Sequence, residues 1–218
     1  MDFKEVIRRR RSIRRFNEKK VSKKLVQKLI EDATYAPTPC NQQLWKFVAI
    51  DNQKLKERLV SEARSSTIVK RAPVVLVVCY DAWDEKEAIQ ASSLAVQNIL
   101  LSATNNNLGA LSMNSFGNEK IIKKLLKIPG NYLINCFVLL GHQSHVYETT
   151  PVVTRRTVDE VLYYNQFSSD FSSSCSYDTE DWTKEKLIDY QSYYCRKTFL
   201  GKEMDIMDEA EKILVNVK

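Results

Sequence analysis

Arginine is the residue type whose spacing in this sequence first suggests chemistry. Arg8, Arg9, Arg10 and Arg11 run together, Ser12 follows, and Arg14 and Arg15 complete the cluster just before Phe16. A guanidinium is planar, permanently charged and able to form paired, charge-assisted hydrogen bonds to phosphate or carboxylate oxygens, so such a run is suited to holding an anion. Three uses stay open at this level. The run is a solvated helix end, where cations are favourable near the C-terminus; or a basic arm for nucleic acid; or a clamp for the phosphate of a cofactor. The nucleic-acid use lacks its usual company: there is no recognition-helix motif and no aromatic strand motif, and Phe16 is the only aromatic among the arginines.

Other reactive residues are sparse. The five cysteines, Cys40, Cys79, Cys136, Cys175 and Cys195, are an odd number with no C-x-x-C pair, which reads as free thiols in a reducing compartment. His142 and His145 form an H-x-x-H pair with no Cys, Asp or Glu placed to complete a ligand set, so they read as loop histidines and no metal site is expected. Cys40 beside Pro39 has no identifiable base to activate it as a nucleophile. No G-x-G-x-x-G, Walker or G-x-S-x-G sequence is present, which removes the main signals of dinucleotide-fold dehydrogenases, P-loop enzymes and α/β-hydrolases.

The elements that must position these residues are legible from periodicity. The chain has 218 residues, 44% hydrophobic and 28% charged, which fits a globular domain and excludes a rod, a collagen-like repeat or a disordered chain. Its longest apolar run, Ala72 to Tyr80, is too short to span a bilayer, which takes about 20 residues. The N-terminus has no apolar signal segment, so a cytoplasmic location is expected. Residues 1–28 hold twelve Lys/Arg against three Asp/Glu, net +9, and the whole chain is +6, so the remainder is 6 − 9 = −3. The basicity is local.

Asp2 and Glu5 predict a capped short helix with an apolar stripe of Phe3, Val6 and Ile7 that ends in the arginine run. Ser12 to Phe16 reads as a turn. Ser22 caps a second helix, stopped by Pro37. A loop of two prolines and three amides over 36–44 leads into a strand at Trp45 to Ile50, and a helix capped by Asp51 or Asn52 runs to about Arg64. Ala72-Pro73 opens a strand with the composition of one buried on both faces. A helix rich in small residues spans about 86–105, a short strand and loop follow over 110–116, then a helix over 118–127 and a buried strand from Tyr132 to Gly141. Alternating strands and helices predict a sheet sandwiched between helices. Ser168 to Ser176 reads as a serine-rich linker, followed by two amphipathic helices over Thr183 to Phe199 and Met204 to Val217.

The order of several segments carries more than any of them alone. Arg10-Arg11-Ser12-Ile13-Arg14-Arg15-Phe16 is followed, some 20 residues on, by Ala36-Pro37-Thr38-Pro39-Cys40-Asn41-Gln42-Gln43-Leu44-Trp45. Ala72-Pro73, Leu108-Gly109-Ala110, Ile128-Pro129 and Arg155-Arg156 come after. Together these resemble the nitroreductase family of FMN-dependent enzymes over about residues 2–167. The resemblance implies an α+β fold, an α/β/α sandwich with a central mixed β-sheet flanked by helices, and an FMN-binding domain over 1–167. Residues 168–218 lie outside it; their two amphipathic helices predict a C-terminal helical extension that packs on that domain or on a partner subunit.

It also implies roles. Arg10, Arg11 and Ser12, with Arg155 and Arg156, would converge on the FMN phosphate, and Arg14 would reach the ribityl chain or the pyrimidine edge. Pro37, Thr38, Pro39, Asn41 and Gln43 match a loop that covers the flavin of the second subunit of a homodimer. Met113, Asn114 and Ser115 match the segment whose backbone N–H, at Ser115, faces flavin N5. The activity implied is reduction of a small electron-poor acceptor, a nitroaromatic or quinone, by NAD(P)H in a ping-pong sequence, with no catalytic side chain, nucleic acid or membrane involved. The alternatives within the resemblance are flavin fragmentation, as in 5,6-dimethylbenzimidazole synthesis, and dehalogenation. Leu44 stands where the family commonly has proline, Pro39-Cys40 where small hydroxyl residues are common, and Ser115 where glycine is frequent.

Overall fold

A side chain caps the start of each α-helix among the described residues, and the local sequence accounts for every cap. Asp2 accepts the Glu5 N–H at 2.9 Å to begin α1 (Phe3–Arg9), and Ser22 accepts the Leu25 N–H at 3.2 Å to begin α2 (Lys23–Thr34). Asn52, rather than Asp51, caps α3 (Gln53–Ser61). Asp84 caps α4 (Glu85–Asn105), and Asn118 caps α5 (Glu119–Leu126). Each satisfies one of the free N–H groups of a first turn, worth about 1 kcal/mol. The strands are β1 (Trp45–Ile50), β2 (Val74–Asp81), β3 (Gly109–Met113) and β4 (Tyr132–Gly141). Two 3₁₀ turns, Pro39–Asn41 and Thr67–Arg71, were not expected from periodicity.

The computed structural model describes residues 1–114, 116–144, 155–159 and 161–166. The chain divides into two units, Met1–Tyr147 and Glu148–Lys218. The expected linker at 168–176, the two C-terminal helices, Cys175, Cys195 and His145 lie outside the described residues.

In the first unit the strands form one sheet in the order β1-β2-β4-β3. All three neighbouring pairs are antiparallel, and an isolated bridge between Ser12 and Ala110 adds a parallel contact beside β3. Strand β2 is buried at every position from Val74 to Tyr80, as its unbroken apolar run requires. Alternate side chains of a strand point to opposite faces, and here they enter two different cores. Val74, Leu76, Val78 and Tyr80 join a cluster with residues of α2 and α4; Val75, Val77 and Cys79 join one that includes Leu59 of α3 and Ile122 of α5. The sandwich follows directly: each face of β2 needs its own helical cover.

Cys79 and Cys136 behave as small core residues. Burial pushes the Cys79 thiol up to about 12 and the Cys136 thiol up to about 11, so both stay protonated and unreactive. Helix α1 departs from its expected stripe. Val6 is buried, whereas Phe3 and Ile7 are 71% and 46% exposed.

Candidate functional site

The arginine segment is extended where a turn was expected, and it is stitched across the end of the sheet. The Ile13 N–H donates to Ala110 O at 2.9 Å, and the Asn17 N–H donates to His142 O at 2.9 Å. The Ser144 N–H reaches Arg15 O at 3.3 Å, and Asn17 Nδ2 reaches Gln143 O at 3.2 Å. What lets the segment approach is a pair of glycines. Gly109 and Gly141 face each other in the β3–β4 register. A Cβ on Gly109 would lie 2.8 Å from Ile13 Cγ2, and one on Gly141 would lie 2.7 Å from Phe16 Cδ1 and 2.6 Å from Pro73 Cδ. The notch seats Ile13 and Phe16, and the arginines come with them.

Seating divides the arginines into two kinds. Arg8 and Arg9 are exposed, with Arg9 paired to Glu5 at 3.1 Å, whereas Arg10, Arg11, Ser12, Arg14 and Arg15 are half-buried. Arg11 Nη1 turns back to Arg8 O at 2.5 Å and Arg10 O at 2.8 Å, closing the C-terminal end of α1. Arg14 Nη1 donates to Ser12 O at 3.2 Å. His142, whose carbonyl anchors Asn17, has its imidazole pKa lowered from the usual range by burial and then by the neighbouring charge of Lys19.

The proline–amide loop is exposed apart from buried Ala36 and half-buried Thr38 and Leu44. Cys40, Asn41 and Gln43 all adopt left-handed backbone, with φ of 48°, 54° and 52°. Asn tolerates this region, but for Cys and Gln it costs of order 1 kcal/mol or more and persists only where surrounding bonds dictate it. Thr38 Oγ1 supplies one such bond by accepting the Gln43 N–H at 3.1 Å, and Gln43 Nε2 donates to Asn41 O at 3.4 Å. Thr38 therefore has a structural task inside the loop.

Strand β3 leads out to half-buried Met113 and exposed Asn114; Ser115 lies outside the described residues. The chain beyond is held by several contacts. Phe116 stacks on Phe137 with ring centroids 5.3 Å apart, its N–H donates to Asn114 O at 2.9 Å, and its carbonyl accepts the Ser65 hydroxyl. The Asn118 N–H donates to Ala63 O at 2.7 Å. Gly117 has φ of 103°, and a Cβ there would lie 2.2 Å from Ala63 O. These bonds also explain why α3 stops at Ser61 instead of running to Arg64: residues 63–65 are committed to the turn after β3. Thr67 Oγ1 nearby in sequence is buried with no hydrogen-bond partner among the described residues.

Arg155 and Arg156 are exposed and belong to the second unit. Among the described residues no group of His, Cys, Asp and Glu could hold a metal ion, and no helix is long and apolar enough to cross a membrane. Sequence reasoning missed Gly141 and Gly117. Glycine is scarce here, five in 218 residues, so each glycine at a strand end or before a helix cap was a usable signal.

A helix–sheet–helix sandwich with an arginine segment laid over a glycine notch at the sheet end defines the class of α+β domain to which this chain belongs. The nitroreductase family matches residues 7–81 and 60–142. A protein of Methanothermobacter thermautotrophicus provisionally named NADH dehydrogenase/NAD(P)H nitroreductase is 32% identical over 150 residues, 66% of this chain and 78% of its own. A nitroreductase family protein from Clostridium novyi NT superposes with a TM-score of 0.62 at 25% identity, covering 69% of this chain and 89% of that one. An FMN-dependent nitroreductase from Clostridium difficile R20291 shares the fold at a TM-score of 0.65 and 22% identity, over 74% of this chain and 98% of its own. The chain belongs to the nitroreductase family, and it is an enzyme of the oxidoreductase class.

Proposed function

We propose that this protein binds FMN and uses NAD(P)H to reduce nitroaromatic, quinone or similar electron-poor acceptors. The carrying observation is the placement of two segments at opposite ends of β3. The half-buried arginine segment is bonded at Ala110, and the braced turn begins after Met113. Four residue steps lead from Ala110 to Asn114, about 13 Å at ~3.3 Å per step, a span on the scale of a flavin mononucleotide from phosphate to ring. Guanidinium groups suit a phosphate at the first end, and the Ser115 backbone N–H would serve the ring at the second. The orphaned Thr67 hydroxyl is a further buried polar group that a ligand would satisfy.

In this reading Arg10, Arg11 and Ser12 hold the phosphate, and Arg14 reaches the ribityl chain or the pyrimidine edge. Asn114 and Ser115, following Met113, present backbone donors to the ring. FMN held there would supply the two-electron redox chemistry linking reduced nicotinamide to the acceptor, each entering in turn. The protein binds, orients and screens the reactants, and no side chain needs to act as acid or base.

The same reading makes the protein a homodimer in the cytoplasm. Pro37, Thr38, Pro39, Asn41 and Gln43 would cover the partner's flavin, which gives the strained, exposed loop a reason to be held in its conformation. Phe3, Ile7 and Leu94, on the surfaces of α1 and α4, are large apolar side chains 71%, 46% and 46% exposed, and a second copy would cover them.

The absorption spectrum of the natively purified protein tests the reading. A yellow protein with about one FMN per chain is expected, bleached anaerobically by NAD(P)H and restored by a nitroaromatic. A colourless protein that takes up no added FMN overturns it. A flavin bleached only by a chemical reductant and then degraded in air replaces reduction of an external acceptor with flavin fragmentation.

A further inference from the structure

Lys56, on α3, is the one charged side chain among the described residues that is buried, 4% exposed. A buried ammonium is expensive to dehydrate and is ordinarily paired with a carboxylate. None of the ion pairs among the described residues includes Lys56. Its Nζ donates instead to Ala72 O at 2.6 Å and Pro73 O at 3.4 Å. Gln53, three residues earlier and so on the same face of the helix, donates to Lys70 O at 3.1 Å. Two side chains of α3 thus hold the carbonyls of Lys70, Ala72 and Pro73, and with them the path of the chain from its 3₁₀ turn into β2.

Pro73 is where that path meets the arginine segment. A Cβ on Gly141 would lie 2.6 Å from Pro73 Cδ and 2.7 Å from Phe16 Cδ1, so the proline and phenyl rings converge on the space that the missing side chain leaves open. Phe16 bridges to Gln143, and the Asn17 N–H beside it donates to His142 O at 2.9 Å. Arg14 and Arg15 immediately precede Phe16. In a close-packed interior a displaced ring displaces its neighbours, so contacts run from Lys56 through Pro73 and the Gly141 notch to Phe16 and the arginines.

We propose that Lys56 is a positioning residue for the anion clamp: by holding the carbonyls of Ala72 and Pro73 it seats Phe16 and so sets where the arginine segment meets the flavin phosphate. The proposal rests on the flavin reading, which assigns the phosphate to that segment. It requires the influence of Lys56 to fall on the phosphate and not on the ring. FMN and riboflavin differ only in the phosphate, so the preference between them isolates that influence from a general loss of stability.

The test equilibrates the flavin-loaded full chain with mixtures of FMN and riboflavin and measures the bound flavins after desalting. Wild type is expected to favour FMN strongly. Lys56→Met keeps a long unbranched side chain and removes its donors; it should reduce the preference roughly 3- to 10-fold, the scale of one hydrogen bond and less than the loss of a clamp guanidinium. Arg10→Ala should cost less of the preference in the Lys56→Met background than in wild type, because a residue and the group it positions are coupled. Pro73→Ala removes the ring that meets Phe16 while leaving Lys56 in place, should lower the preference in the same sense, and decides the matter if Lys56→Met does not fold. A preference that a folded variant leaves unchanged, even with total flavin reduced, or losses that simply add to that of Arg10→Ala, overturn the assignment and leave the flavin reading intact. A wild type that takes up no flavin overturns both.

Discussion

Burial separates the arginines that sequence alone presents as one run. Arg8 and Arg9 project into solvent, and Arg10 to Arg15 are drawn half into the protein by Ile13 and Phe16. Truncating Arg10 to Ala should weaken FMN binding by about 1.5–3 kcal/mol, the worth of a charge-assisted hydrogen bond, or roughly 10- to 150-fold in affinity. Arg8→Ala should do little, and flavin titration of the two apoproteins compares them directly. Equal losses would show that bulk positive charge, not a placed guanidinium, holds the anion. Arg11 has an additional task, since it bonds two carbonyls at the end of α1. Its removal would act on helix stability as well as on the cofactor.

At the scale of elements, the arginine segment depends on what the sheet leaves out. Gly109 and Gly141 are opposite one another, and neither needs a left-handed backbone; each is required by space. Gly141→Ala would force its Cβ against Phe16 and Pro73, so a loss of about 1–3 kcal/mol is expected from overpacking. The loss should fall on the seam first. Thermal melting and flavin content measured together should show a modest drop in melting temperature with a disproportionate loss of FMN. A variant with wild-type flavin content would show that the notch merely fills space and does not position the clamp. Lys56 braces the same seam from the other side: buried on α3, it donates to Ala72 O at 2.6 Å and Pro73 O at 3.4 Å. Burial lowers its pKa, with Asp51 and Glu57 acting in the opposite sense.

For the whole molecule, the expectation is an obligate homodimer in which the segment beyond Ser168 lies across the partner. Helices with the spacing that the tail sequence predicts would have apolar faces that need cover, and the exposed side chains of α1 and α4 need it as well. Deleting residues 169–218 should loosen the dimer and lower FMN occupancy together, because a ligand bound across an interface is linked to association. Sedimentation of wild type and truncation, with flavin measured on the same fractions, decides it. A monomeric wild type with full flavin would end the two-subunit site.

The sequence by itself determined the parts of this protein that local physics controls. Caps at Asp2, Ser22 and Asn52 are set by a side chain reaching a backbone N–H three residues on. Strand β2 is marked by an apolar run whose two faces both had to be covered. The ordered motifs at 10–16 and 36–45 were enough to indicate the family. Tertiary structure decided the rest, because it depends on residues distant in sequence. The strands pair antiparallel although helices separate them along the chain, since pairing direction follows how the connections cross the sheet and not the alternation of elements. Ser12 to Phe16 is extended because β3 and β4 offer it backbone partners and two missing side chains. Residues 63–65 turn away from the end of α3, with the Ser65 N–H closing on Leu59 O at 3.1 Å, because a turn more than 50 residues further on claims the Ala63 carbonyl and the Ser65 hydroxyl. No pattern within a window of the chain carries that information.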